Sequence, residues 1–221
     1  MPERLFKLLA DLRDPQNGCP WDKKQTPLSL CAGILDEAFE LVDAIENQSA
    51  LQVAEELGDL LFQLMFVIHL YTEQHEFTFD DVIKGVEAKM IRRHPHVFGQ
   101  ESLATTAQVL RRWEQIKLAE KKDVHPLDSV PLALPALAQA QRLWSKAGRL
   151  GWLPEVDSQA QEDELRVLFS RTLAEKQAQD FAGLLFKLVI WGAGHNLNAE
   201  EMLRAANQAF REKIKQQTPY V

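Results

Sequence analysis

Four carboxylates carry the strongest chemical signal in the sequence. Glu37 and Glu40 are spaced i, i+3 in LDEAFELVDAIE, and Glu56 and Asp59 are spaced i, i+3 in AEELGDLL. On helices, each pair shares one face. The polar stretch between them centres near residue 48, from which Glu40 and Glu56 are equidistant, as are Glu37 and Asp59. Folded back antiparallel, the two helices set Glu40 level with Glu56 and Glu37 level with Asp59. Four bare negative charges facing one another repel, and a hard divalent cation that prefers oxygen ligands, Mg²⁺ above all, relieves the repulsion. Acids at this spacing also line solvated helix faces. Two features weigh against that reading here. No Lys or Arg lies between residues 28 and 83, and Asp59 falls in the apolar run LGDLLFQLMFVI, where a charge without a partner or metal is costly. A structural Ca²⁺ site could use the same acids. A di-iron site wants Glu-x-x-His on two helices, and neither pair supplies a histidine.

Other groups suit an anionic, aromatic ligand. Lys89 and Arg93, at i, i+4 beside Arg92, either complement a helix C-terminus or hold phosphate, which guanidinium groups grip in a fork. Trp113 and Lys117 form another i, i+4 pair, readable as core packing with a solvated lysine or as base stacking with a phosphate contact. Trp21, in the loop GCPWD, either plugs a bundle end or walls a base pocket. His94 and His96 flank a proline and lack the partners of a zinc site, which favours a structural or capping role. There is no P-loop, GxSxG or Cys/His nucleophile pattern, so acyl-enzyme chemistry and phosphate capture by a glycine-rich loop have no support.

The elements that must position these groups read as helices. Residues 2–13 form a short amphipathic helix. The segment DPQNGCPWDKKQTP is a structured loop. Thr26-Pro27 opens a helix that runs to about Glu46. Ser49 with Gln52 makes a capping box for the next helix, to about Gln74. Thr78 caps a third, ended by His94-Pro95, and a fourth spans about Thr106 to Lys122. Three prolines in residues 123–135 mark a boundary. Further helices are predicted near 135–149, 159–174, 177–193 and 199–216. No segment alternates with period two, so the expected fold is all-α. LGDLLFQL (57–64) aligns with FAGLLFKL (181–188), but Glu56 becomes Asp180, Asp59 becomes Gly183 and Lys89 becomes Ala209. The second half therefore reads as a faint, degenerate repeat of the first.

Composition narrows the classes. The chain has 221 residues with net charge −7, 46% hydrophobic and 26% charged, which suits one large or two small globular domains and argues against a general nucleic-acid or membrane-surface binder. Cys19 and Cys31 form neither a CxxC pair nor a disulfide framework. With no signal-like segment at the start, a reducing, cytoplasmic setting is expected. The longest apolar run, Leu60 to Leu70, is too short to span a bilayer.

Strings along the first half carry a family resemblance. LRDPQNGCPWDKKQT, DEAFELVDAI, EELGDLLFQL, IRRHPHVFG and RWEQIK together resemble the MazG family of nucleoside triphosphate pyrophosphohydrolases. The match is nearly continuous over residues 5–120 and weaker over 126–221. The resemblance implies tandem MazG-like helical bundles. Residues 1–122 would be the catalytic domain, 123–135 a linker and 136–221 a degenerate copy. It further implies a homodimer that hydrolyses NTPs and dNTPs to monophosphate and pyrophosphate. By the family pattern, Glu37, Glu40, Glu56 and Asp59 would hold Mg²⁺. Lys89 and Arg93 would bind the triphosphate, and Trp113 and Lys117 would contact the ligand. Glu37 or Asp36 would orient or deprotonate the attacking water, and Trp21 would help wall the pocket. The sequence departs from the pattern in three places. Asp36 replaces the first glutamate of EExxE, and Gly33 and Gln52 stand where active copies of the domain can carry lysines. The second copy ends soon after its last helix and has no counterpart of the Trp113–Lys117 helix. These departures leave open a non-catalytic, nucleotide-binding or interaction protein that keeps the fold and metal site.

Overall fold

The computed structural model describes residues 2–46, 49–120, 125–153 and 158–218. Ten α-helices and two 3-10 turns connect without a strand among the described residues, as the periodicity requires. The chain divides into two compact units, Met1–Glu114 and Gln115–Val221. The proline-rich stretch 123–135 lies within the second unit; its residues 123–124, the helix end expected at Lys122, and the turn residues Asn47 and Gln48 lie outside the described residues.

The first unit is built on α1 (Pro2–Leu12), α2 (Cys31–Glu46), α3 (Ala50–Glu73) and α4 (Phe79–Arg93). Helix α3 is the central element, packing on α1, α2 and α4. Its Phe62, Met65, Phe66 and Leu70 fall at helical i, i+3/i+4 spacing and meet Leu5, Phe6 and Leu9 of α1, with Leu30 and Ile34 before and in α2. Phe66 and Leu9 are fully buried; removing such a side chain from water contributes about 1.5–3 kcal/mol each. The caps form at the expected residues, but Ser49 and Gln52 make only half of the expected capping box. Ser49 Oγ accepts from the Gln52 N–H at 3.4 Å. Thr78 and Asp81 form a full capping box on α4, which holds the Asp81 carboxyl below its ordinary value through the Thr78 hydroxyl and backbone bonds.

Helix α2 begins later than Thr26-Pro27 predicts. Thr26 Oγ1 accepts from the Ser29 N–H at 3.2 Å, and Ser29 Oγ accepts from the Thr26 N–H at 2.9 Å. These reciprocal bonds are those of a capping box at Thr26, so the expected cap is present, but residues 27–30 form a turn and the regular helix starts at Cys31. Past α4, the short helix α5 (Pro95–Phe98) precedes α6 (Thr106–Glu120), a helix within what the sequence presents as loop.

The second unit holds α7 (Ala136–Arg149), α8 (Ser158–Glu175), α9 (Ala178–Gly194) and α10 (Ala199–Gln217), within a residue or two of the predicted spans. Here α9 is central: it packs on α7, α8 and α10, and Leu184, Val189 and Ile190 are buried. His75 after α3 and Asn196 after α9 both take φ 59°, the left-handed position that closes a helix C-terminus. The two helix-to-helix corners are thus built alike.

Candidate metal centre

The α2–α3 pair folds back in the register the carboxylate spacing predicts. A Cβ on Gly33 would stand 3.1 Å from Gln63 Nε2, so residue 33 lies against residue 63, again symmetric about 48. The same register aligns Glu37 with Asp59 and Glu40 with Glu56, and the electrostatics agree. The Glu37 carboxyl is raised above its ordinary value, first by desolvation, then by the charges of Asp59, Glu40 and Asp36. The Glu56 carboxyl is raised by desolvation, then by Glu40, Glu55, Asp59 and Glu37. Each glutamate feels its predicted cross-helix partner more than any other charge.

Glu37, Glu56 and Asp59 each present an oxygen, and the three oxygens lie within 4.8 Å of one another. Glu37 and Glu56 are half-buried. Asp59, Glu40 and Asp36 are exposed. Glu40 stands outside the 4.8 Å group and acts on it through its charge. The exposure of Asp59 corrects one strand of the sequence argument: its apolar neighbours Leu57 and Leu61 are themselves 50% and 49% exposed in the single chain and do not bury it. The cost the cluster carries lies in the desolvation of Glu37 and Glu56 and then in mutual repulsion, not in burial of Asp59. An all-oxygen donor set under like-charge strain fits a hard divalent cation and not a zinc or copper centre.

Gln63 carries no sequence signal beyond interrupting an apolar run one turn after Asp59. Its Oε1 is buried without a hydrogen-bond partner among the described residues. Because residue 33 is glycine, the Gln63 amide fills the space where a longer side chain would stand. Gln52 is exposed at the start of α3.

The candidate ligand-binding residues fall into separate places. The Arg93 guanidinium lies 5.6 Å over the Trp113 ring, and His94 meets the same ring edge-on at 4.8 Å between centroids. Arg112 holds Glu101 in a fork at 2.9 and 2.5 Å, tying the loop before α6 to the helix that presents Trp113. His94 ends α4, its Nδ1 2.6 Å from the Met90 carbonyl oxygen, the capping role its sequence suggests. Lys89 is half-buried near the end of α4. Lys117 lies one turn beyond Trp113 on α6, past the division into units. Trp21 is 61% exposed, which rules out a bundle plug. Its loop is anchored instead by Arg13, which donates to Glu73 at 2.9 and 2.8 Å and to the Asp22 carbonyl at 2.6 Å, with Asp22 buried.

In the second unit the positions aligned with Glu56 and Asp59 form no acidic cluster among the described residues. Asp180, aligned with Glu56, is buried and accepts from Arg171 Nη2 at 2.5 Å. Gly183, aligned with Asp59, packs against Leu168.

A family model described as the MazG nucleotide pyrophosphohydrolase domain matches residues 25–98, the span that holds all four carboxylates, Lys89 and Arg93. Over 97% of its length the chain is 36% identical to the nucleoside triphosphate pyrophosphohydrolase of Escherichia coli (strain K12), covering 86% of that protein. The chain belongs to the MazG family. Within it, the chain is also similar to the nucleoside triphosphate pyrophosphohydrolase/pyrophosphatase MazG of Thermotoga maritima, 35% identical over 96% of the chain and 84% of the relative. It is 39% identical to the uncharacterized protein YabN of Bacillus subtilis (strain 168), over 94% of the chain but 44% of that protein. The MazG family model ends before α6, so Trp113 and Lys117 lie outside the matched span.

Proposed function

We propose that this MazG protein is a Mg²⁺-dependent hydrolase that cleaves nucleoside triphosphates, NTPs and dNTPs alike, to the monophosphate and pyrophosphate. The observation that carries the reading is the closure of Glu37, Glu56 and Asp59 to within 4.8 Å in a chain whose relatives are named nucleoside triphosphate pyrophosphohydrolases. Glu37, Glu56 and Asp59 would hold the ion, with Glu40 as fourth carboxylate. Mg²⁺, when bound, supplies charge neutralisation to the triphosphate and acidifies water. Glu37, its carboxyl raised by desolvation and then by the charges of its neighbours, is the better placed of the two candidate bases to take a proton from the attacking water, with Asp36 beside it on α2. Helix α4 packs on α3 and would bring Lys89 and Arg93 back toward the carboxylates, where their charge stabilises the pyrophosphate leaving group. Trp113, already a platform for Arg93, and exposed Trp21 would face the base.

The second half would be a decayed copy with a structural role, as the Arg171–Asp180 ion pair in place of an acid cluster supports. A homodimer is supported by the apolar side chains left open on α2 and α3. Leu35 and Phe39 lie at i, i+4, and Leu57, Leu61 and Leu64 share one face, each 45–53% exposed. No helix among the described residues is long and apolar enough to cross a membrane, and the net charge of −7 disfavours direct nucleic-acid binding. The cytoplasm is the proposed location.

The test is incubation with a panel of NTPs and dNTPs and Mg²⁺, separating pyrophosphate from orthophosphate. Pyrophosphate with an equal yield of monophosphate supports the reading. Gln63 occupying the space at Gly33 favours one rival, a nucleotide binder without turnover. Binding with no pyrophosphate from any nucleotide would select it.

A further inference from the structure

The second unit contains a cleft of about 670 Å³ whose charge opposes that of the chain. Among the described residues that line it are Lys117, Arg142, Lys146, Arg149 and Arg204 and one acid, Glu200, in a protein of net charge −7. Arg142, Lys146 and Arg149 are spaced i, i+4, i+7 along α7 and so form one stripe. The walls are tied together. The Gln141 side chain donates to the Leu197 carbonyl at 3.4 Å and accepts from the Ala199 N–H at 3.2 Å, bridging α7 to the corner between α9 and α10. Lys146 is buried at 9% exposure and donates to the Ser129 hydroxyl, fixing its ammonium against the 3-10 turn at Pro126–Ser129. The volume lies within the range of small-molecule sites.

The lining defines the ligand. Five convergent cations, three of them guanidinium groups, match the oxygens of successive phosphates. With one carboxylate among the described residues lining it, the cleft shows no divalent-cation site there. No aromatic side chain is among the described residues lining it, so nothing stacks on a base. The cleft also stands apart from the place where the acids have decayed. Asp180 and Gly183 lie in the first turns of α9, whereas the cleft takes in Asn198 beyond its far end, roughly 20 Å along the helix at 1.5 Å per residue.

We propose that this cleft binds a short polyphosphate chain, free or carried by a nucleotide, without a divalent cation. It is a second anion site, independent of the carboxylate centre and of whether that centre turns over. The experiment is titration calorimetry of the full chain with inorganic tripolyphosphate, and in parallel with a nucleoside triphosphate, both in EDTA. One saturable event is expected for tripolyphosphate, weakened about ten-fold or more by Arg142→Ala or by Arg204→Ala, the loss expected for a charge-assisted contact. It should be unchanged by Asp59→Asn or Arg93→Ala. The nucleotide should bind with similar affinity. Binding of the nucleotide alone, with the same dependence on Arg142, still supports the site and assigns it to a nucleotide-borne chain. Arg142 is exposed, so its truncation leaves the packing in place, and the thermal midpoint of each variant verifies this. Absence of saturable binding by either ligand overturns the proposal. So does binding that Arg93→Ala weakens and Arg142→Ala does not.

Discussion

Asp59→Asn separates the two things the carboxylate cluster does: it strains the metal-free protein and holds the ion. The substitution keeps the side-chain size and removes one charge. Glu37 and Asp59 present oxygens within 4.8 Å of each other; at that separation two unit charges repel by about 0.9 kcal/mol in a water-like dielectric. Physiological salt, with a Debye length near 8 Å, reduces this to about 0.5 kcal/mol. Glu40 and Glu56 add to the repulsion. In EDTA, Asp59→Asn is therefore expected to raise the thermal midpoint by about 2–4 °C. Mg²⁺ reverses the order. Bound at 100 times its dissociation constant, an ion stabilises the wild type by about 2.7 kcal/mol, while the variant has lost a ligand and gains little. Thermal denaturation of both proteins, in EDTA and in millimolar MgCl₂, should give melting curves that cross in rank. If the variant melts lower than wild type in EDTA, the repulsion argument fails. If Mg²⁺ shifts both equally, the cluster is not the metal site.

The raised Glu37 pKa makes a pH prediction. The folded protein binds that proton more tightly than the unfolded chain, so the resulting stabilisation is full below the ordinary value of 4.5 and is lost as pH rises through the raised one. Relative to Glu37→Gln, wild-type stability in EDTA should thus fall with rising pH across the window just above 4.5, and Mg²⁺ should abolish the fall; urea denaturation at each pH measures it. Arg13→Ala removes the fork to Glu73 and the bond to the Asp22 carbonyl, at a cost of about 1–2 kcal/mol after allowing for the exposure of Glu73. Because Arg13 holds the Glu73 carboxyl below its ordinary value, the wild-type advantage over Arg13→Ala should shrink as pH falls through that lowered value, read from denaturation midpoints. Lys89→Ala and Arg93→Ala should each lower kcat/KM for a nucleoside triphosphate about ten-fold or more while leaving the Mg²⁺-induced melting shift intact, since neither touches the ion.

Much of the scaffold is legible because helices advertise themselves. The Thr78–Asp81 box, the Ser49 cap and the Phe62–Phe66–Leu70 face of α3 are local, and the α2–α3 register follows from symmetry about residue 48. Side chains whose partners lie far along the chain are not legible. Arg13 and Glu73 are sixty residues apart, and neither reveals that together they hold the Trp21 loop. Gln63 gains meaning only against Gly33. The Thr26 cap is legible, but the turn over residues 27–30 that delays the regular helix to Cys31 is not. The basic cleft draws Lys117 and Arg204 from helices almost ninety residues apart, so only the α7 stripe could be seen in advance. Asp180 reads as a weakened Glu56, but its ion pair with Arg171 is visible only when α8 and α9 pack.

The central claim is that the first unit's carboxylates, and not the second half, support cleavage of nucleoside triphosphates. The direct measurement is the rate of pyrophosphate release with Mg²⁺ by the full chain, by Asp59→Asn and by Asp180→Asn. Release by wild type and Asp180→Asn, with near-complete loss in Asp59→Asn, is the predicted result. Release that survives Asp59→Asn, or that vanishes only in Asp180→Asn, would contradict it.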